Sequence, residues 1–291
     1  MKVLILGRGF IGTRLFAYLL NQKIDVTLID KKTGIDYTDR KVFSDYLKNS
    51  DFTIIINCSG YTGSPNVDGC EKEKEKCLFY NVSVPVQINN ICAQLNLKFI
   101  NVSSGCIYTG YEKEYTEKDE PNFGITDNNS SYYSFTKHMC EVLLKNTNAI
   151  TLRIRMPFNS DVTSKNLIYK ILKYNNIIDF KNSGTNTDDL NVFIEKLISR
   201  SDLSSITGIF NVINPGVVTG KLISDYLAYS GLVNDNWKIV DISELDIVAQ
   251  RSNCILSDKK AKKYKLQLPS LTTSLKDAVT KFAKNYKNVI Q

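Results

Sequence analysis

The chain has 291 residues, 43% of them hydrophobic and 23% charged, with 37 Lys and Arg against 30 Asp and Glu for a net charge of +7. These are globular values, and the length allows one two-lobed unit or two small domains around a sizeable core. Lysines interleave with acids, as in Glu71-Lys-Glu-Lys-Glu-Lys76, so the excess charge reads as a solvated face able to attract an anionic ligand and argues against nucleic acid.

Seven cysteines without CxxC spacing, and one histidine, His138, argue against a disulfide framework, a metal site and a mechanism built on histidine. No apolar run reaches the roughly 18 residues of a membrane span. Met1 leads directly into an apolar segment, so a soluble, cytoplasmic protein is expected.

In chain order, residues 2–6 form a short apolar strand, followed at once by Gly7-Arg-Gly-Phe-Ile-Gly12. Leu15, Phe16, Leu19 and Leu20 then recur at helical spacing. Strand, glycine turn and helix in that order form a dinucleotide fingerprint. Gly7 permits the tight turn, Gly9 lets the backbone approach a pyrophosphate, and Gly12 packs helix on strand. The turn residues Arg8, Phe10 and Ile11 belong to the same cofactor site, with the helix N-terminus facing the phosphates.

Residues 24–29 read as a second strand ending in Asp30, about 20 residues beyond the glycines, where an acid favours NAD and cations accommodate NADP. Lys31, Lys32 and Arg8 supply three cations, which tips the expectation to NADP(H). Asp36 and Tyr37 are assigned to the cofactor as well. A third strand at 53–56 runs into Asn57-Cys-Ser-Gly60, where Cys58, Ser59 and Gly60 let a cofactor approach. One long helical region is expected from about residue 70 to 95.

A fourth strand at 97–102 leads to Ser103-Ser-Gly-Cys-Ile-Tyr108 and an acidic, turn-rich insert. In the helix that follows, Tyr133 and Lys137 are four residues apart and share a face. An ammonium beside the phenol is expected to lower its pKa from about 10 toward neutrality. Ser104 would complete a cradle for a substrate oxygen. A fifth strand at 149–155 and a return strand at 208–213 give an α/β fold, a Rossmann-like doubly wound parallel sheet. Its ligands should lie at the strand ends, near Gly7, Ser59, Ser104 and Met156.

Beyond Arg155 the alternation weakens. Helices are expected at 166–174, 188–199 and near 274–285. Residues 1–155 plus 183–215 are thus read as the dinucleotide-binding domain, and 156–182 plus 216–291 as a small discontinuous substrate lobe.

The glycine turn, Asn57-Cys-Ser-Gly60, Ser104 and the Tyr133/Lys137 pair together resemble an extended short-chain dehydrogenase/reductase. Thr62-Gly-Ser-Pro-Asn-Val-Asp68, Gly105-Cys-Ile107, Asp119-Glu-Pro-Asn-Phe123, Leu152-Arg-Ile-Arg-Met-Pro157, Asn214-Pro-Gly-Val-Val218 and Arg251-Ser-Asn253 narrow the resemblance. They are similar to bifunctional UDP-4-keto-6-deoxyglucose 3,5-epimerase/4-reductases (UDP-rhamnose synthases), relatives of dTDP-4-dehydrorhamnose reductase.

The resemblance implies a nucleotide-sugar substrate and NADPH. It gives Ser104, Tyr133 and Lys137 the reductase roles and Cys106 and Lys165 the acid/base roles in epimerisation. It implies substrate contacts from Thr62, Asn66, Ser104, Asn166, Arg251 and Asn253, with Arg251 on the diphosphate. A separate 4,6-dehydratase upstream and a homodimer are further expectations. The rivals are a reductase without epimerase activity and a non-catalytic NADP-sensing subunit.

Overall fold

The computed structural model describes residues 1–30, 32–64, 66–124 and 131–290. In the strand Lys2–Leu6, side chains alternate between two faces and both faces are apolar. Val3 and Ile5 join one core, Leu4 and Leu6 another. A strand buried on both sides needs helices on both sides.

The six-stranded sheet runs Gly208–Asn211, Ile150–Ile154, Lys98–Ser104, Ile54–Asn57, Lys2–Leu6, Asp25–Ile29, and every pairing is parallel. On one face pack Leu15 and Leu19 of the helix Gly12–Asn21 with Leu190, Phe193, Ile194 and Leu197 of Thr187–Ile198. On the other pack Phe43 and Leu47 of Arg40–Lys48, Ile88 and Ile91 of Val84–Gln94, and Cys140 and Leu144 of Tyr132–Leu144. Strand order reverses between Lys2–Leu6 and Ile54–Asn57, so a crevice opens at their carboxyl ends.

A separate apolar core joins Phe158, Ile168, Ile171, Ile177, Val218, Ile223, Leu227, Leu275 and Phe282. It gathers the helices Leu167–Lys173, Gly220–Tyr229 and Leu271–Ile290 beside a three-stranded sheet of Asn214–Val218, Asn182–Asn186 and Pro157–Phe158. Arg14, on the glycine-turn helix, ties the two cores. It pairs with Asp188 and with Asp161, the latter at 2.5 Å. Among the described residues no helix is long and apolar enough to cross a membrane.

Two sequence expectations are corrected. The single helix expected over 70–95 is divided into Asp68–Lys72, Lys74–Leu78, a π-helical turn at Phe79–Ser83, and Val84–Gln94. Its first break falls at Glu73, whose φ of −116° and ψ of 55° are not helical. The acidic insert contains a strand, Gly110–Tyr115, which pairs in parallel with Cys254–Leu256. Asn182–Asn186, on which the chain's local pattern is silent, is the middle strand of its sheet with all five residues buried.

Candidate active site

Gly7 takes φ +100°, and a Cβ there would meet the Ser59 backbone at 2.9 Å. A Cβ at Gly12 would overlap the carbonyl oxygen of Gly7. These two glycines lock the turn against the end of Ile54–Asn57 and leave no room for a side chain. Gly9 differs: a Cβ would touch nothing within 4 Å, so its backbone faces open space.

The helix Gly12–Asn21 has no side-chain cap and no acid in its first turn. Its leading N–H groups and the positive end of its dipole are therefore available to an anion. A bare turn, an uncapped helix and the neighbouring Cys58, Ser59 and Gly60 fit a dinucleotide pyrophosphate. Phe10 is half-buried, and Ile11 packs against the core below.

The adenosine end departs from expectation. Arg8 lies 3.3 Å from Asp30, so one of the three expected cations is already met by the acid it was weighed against. Lys32 is exposed, and Lys31 lies outside the described residues. Asp36 accepts hydrogen bonds from Thr38 N–H at 2.9 Å and its hydroxyl at 2.6 Å. Tyr37 is buried edge-on against Phe43.

Ser131 caps the helix Tyr132–Leu144, its hydroxyl accepting from Ser134 N–H, which fixes where Tyr133 and Lys137 enter the site. Both are buried, each at 8% exposure. The Lys137 Nζ stands 5.6 Å from the Tyr133 ring centre, and a Cβ on Gly60 would meet it at 3.4 Å. Ser104 ends the strand Lys98–Ser104, and its hydroxyl accepts from Cys106 N–H at 3.1 Å.

The expected fall in the Tyr133 pKa is reversed. Burial pushes this phenol above its ordinary value, a Cys106 negative charge would push the same way, and the Ser104 hydroxyl only partly offsets them. Burial likewise lowers Lys137. Desolvation of the charged forms outweighs the attraction the sequence suggested.

A cleft beside this group is lined by Cys106, Tyr133, Arg155, Met156, Arg251 and Asn253, and apolar side chains including Leu167, Ile171, Phe180 and Ile223 continue it. Arg251 donates to both oxygens of Asp68, at 2.8 and 3.0 Å. Asn253 accepts from Asn182 at 3.0 Å. Thr62 is exposed and Asn66 accepts from Asp68 N–H at 2.8 Å, and neither is among the residues lining the cleft.

Asn166, expected to contact the substrate, is not among the residues lining the cleft. This side chain is fully buried. Its amide donates to the carbonyls of Asn159 at 2.8 Å and Asp161 at 2.7 Å, and its oxygen accepts from Ile168 N–H at 3.2 Å to cap Leu167–Lys173. Every polar atom is engaged in building the loop. Lys165 stands exposed on that loop, outside the residues lining the cleft.

Sequence reasoning missed Asn81 and Arg155. Asn81, in the π-helical turn, donates to Tyr61 O at 2.8 Å, Cys77 Sγ at 3.2 Å and Thr136 Oγ1 at 3.2 Å, and a Cβ on Gly60 would meet its Oδ1 at 3.2 Å. Arg155 donates to Cys106 Sγ at 2.6 Å. The available signal for Arg155 was Leu152-Arg-Ile-Arg155, in which arginines alternate with apolar residues on a buried strand.

The model of one family, the RmlD substrate binding domain, matches residues 1–284. The bifunctional dTDP-4-dehydrorhamnose 3,5-epimerase/dTDP-4-dehydrorhamnose reductase of Arabidopsis thaliana is 37% identical over 240 residues, covering 78% of this chain and 75% of the relative. A trifunctional UDP-glucose 4,6-dehydratase/UDP-4-keto-6-deoxy-D-glucose 3,5-epimerase/UDP-4-keto-L-rhamnose-reductase of the same plant is 34% identical over 244 residues, 79% of this chain. The match spans only 34% of that larger protein.

The solved L780 UDP-rhamnose synthase of Acanthamoeba polyphaga mimivirus superposes with a TM-score of 0.84 at 25% identity, over 97% of this chain and 99% of that one. Solved structures sharing the fold include complexes with NADP and with NAD.

Proposed function

The chain belongs to the RmlD substrate binding domain family, and on that premise we propose that it is a bifunctional 3,5-epimerase/4-reductase converting UDP-4-keto-6-deoxyglucose into UDP-L-rhamnose with NADPH. The observation that carries the reading is Cys106. It lies two residues beyond Ser104, on the cleft that Tyr133 also lines, so a proton-transfer group and a ketone-reducing set share one wall.

Gly7, Gly9, Gly12, Cys58, Ser59, Gly60 and Lys137 would hold the cofactor, with Arg8 and Asp30 at its adenosine end. NADPH bound there supplies the hydride delivered to C4. The C4 ketone first acidifies the hydrogens at C3 and C5, and Cys106 exchanges them from one side. Ser104 holds the ketone oxygen by hydrogen bonding and Tyr133 donates a proton to it during reduction. A phenol whose pKa is raised by burial stays protonated at neutral pH, which suits a donor. Lys137, behind Tyr133, keeps positive charge near the developing anion.

We assign 1–155 plus 183–215 to the cofactor and 156–182 plus 216–291 to the nucleotide sugar. The apolar walls of the cleft suit the base and sugar faces, and Arg251 suits the diphosphate. A 4,6-dehydratase supplies the 4-keto sugar. The exposed Leu78, Phe79, Val142 and Leu143 support pairing of two copies, which light scattering tests.

Product identification after incubation with UDP-4-keto-6-deoxyglucose and NADPH tests the reading, UDP-L-rhamnose being expected. The exposed position of Lys165 favours a second reading, a 4-reductase without epimerase activity. Solvent deuterium entering C3 and C5 with NADPH omitted supports the bifunctional enzyme, and no exchange supports the reductase.

A further inference from the structure

We propose that Arg155 is a positioning residue for epimerisation, its buried guanidinium serving as the counter-charge that keeps Cys106 available as a thiolate base. The inference rests on the reading of Cys106 as an acid/base group and identifies what would make it one.

Arg153 lies in the strand Ile150–Ile154 and Arg155 directly after it, and each is only 2% exposed. Arg153 meets Glu141 at 2.7 Å, a buried charge answered by a buried charge. Arg155 is answered differently. Its Nη1 donates to Cys106 Sγ at 2.6 Å, and its Nη2 donates to Asn182 Oδ1 and, at 2.5 Å, to the Ser252 carbonyl. Its Nε is buried without an acceptor. Among the described residues Arg155 has no carboxylate partner. An arginine keeps its proton in proteins, and a buried guanidinium facing only neutral acceptors is strongly unfavourable.

The titratable groups around this pair narrow the source of negative charge. Cys254 and Tyr111, from the paired strands Cys254–Leu256 and Gly110–Tyr115, are pushed up by burial. So is Tyr133, from the helix Tyr132–Leu144. These three stay neutral, and Lys137 carries no negative charge in either form. Cys106 is the thiol that Arg155 Nη1 meets at 2.6 Å and that also lines the cleft.

In the reaction, the thiolate takes the hydrogen beside the ketone as a proton. The S–H bond forms, the C–H bond breaks, and the electron pair passes into an enolate whose oxygen Ser104 and Tyr133 hold. A proton delivered to the carbon from the opposite face, by water or an ammonium, restores the ketone. The Cys106 thiol then releases its proton to solvent, and Arg155 again faces a thiolate.

The test follows iodoacetamide modification of Cys106 across pH, read by peptide mass spectrometry, in the wild type, Arg155→Gln and Arg155→Lys. Thiolate absorbance is compared between the wild type and Cys106→Ser. Near neutral pH, modification is expected to fall on the order of tenfold in Arg155→Gln and to recover largely in Arg155→Lys, with deuterium exchange at C3 and C5 falling in parallel. If Arg155→Gln does not fold, absorbance decides: a neutral-pH thiolate band in the wild type that Cys106→Ser lacks supports the proposal, and no such band overturns it. Unchanged modification and exchange in folded Arg155→Gln overturn the role of Arg155 alone. No exchange in the wild type overturns the epimerase reading, and this role with it.

Discussion

Arg251 presents both ends of its guanidinium to Asp68, one nitrogen 2.8 Å from one carboxylate oxygen and the other 3.0 Å from the second. The pair joins the loop before Cys254–Leu256 to the start of Asp68–Lys72 and holds the Asp68 pKa below its ordinary value. A diphosphate reaching Arg251 competes with Asp68. Arg251→Ala is expected to raise KM for the UDP sugar on the order of tenfold with kcat little changed, and Asp68→Asn to lower KM. Steady-state kinetics on both variants check this, and a KM indifferent to both reduces the pair to a structural tie.

Tyr133→Phe keeps the buried ring and deletes the proton donor. Reduction should slow by about 10²- to 10⁴-fold, while NADPH binding, followed by fluorescence titration, stays near the wild-type value. Loss of binding together with rate would mean that the phenol acts mainly in holding the cofactor.

Cys106→Ser separates the two half-reactions. Deuterium exchange at C3 and C5 is expected to disappear, whereas a 4-keto sugar already epimerised at both carbons should still be reduced within about tenfold of the wild-type rate. Equal loss of both activities in a folded variant would give Cys106 a role in the reductase set itself.

Gly12→Ala inserts a methyl group into the Gly7 carbonyl oxygen, so the turn must open. NADPH affinity measured by calorimetry should fall at least about 10²-fold. Gly9→Ala meets no atom of the protein, so stability should hold within about 1 kcal/mol while NADPH binding weakens. Unchanged binding in both variants would separate the turn from the cofactor.

Asp119 accepts from Thr116 N–H and its hydroxyl, each at 2.7 Å, and pairs with Lys113. Those partners hold its carboxyl down at about 2. A depressed carboxylate contributes stability above its unfolded value of about 3.9 and loses it as pH falls through the folded one. Asp119→Asn should therefore melt lower than the wild type by a few degrees, roughly 2–4 °C, above about pH 5. The gap should close toward about pH 2. A gap independent of pH would mean that the carboxylate's charge contributes nothing.

The parallel sheet and the glycine turn can be read along the chain, because period and spacing are local. Val3 through Leu6 are apolar at every position, as a strand buried on both faces requires. The Gly7, Gly9, Gly12 spacing, and Tyr133 four residues before Lys137, survive folding unchanged. Features that depend on partners distant along the chain emerge only on folding. Asn182–Asn186 carries no apolar pattern and is a strand because its neighbours surround it. Asn166 became a buried cap through bonds to Asn159 and Asp161, and Arg8 was claimed by Asp30. The pKa of Tyr133 turned on burial, which a four-residue spacing does not encode. Arg155 met Cys106, 49 positions away, because adjacent parallel strands bring their carboxyl ends to one edge.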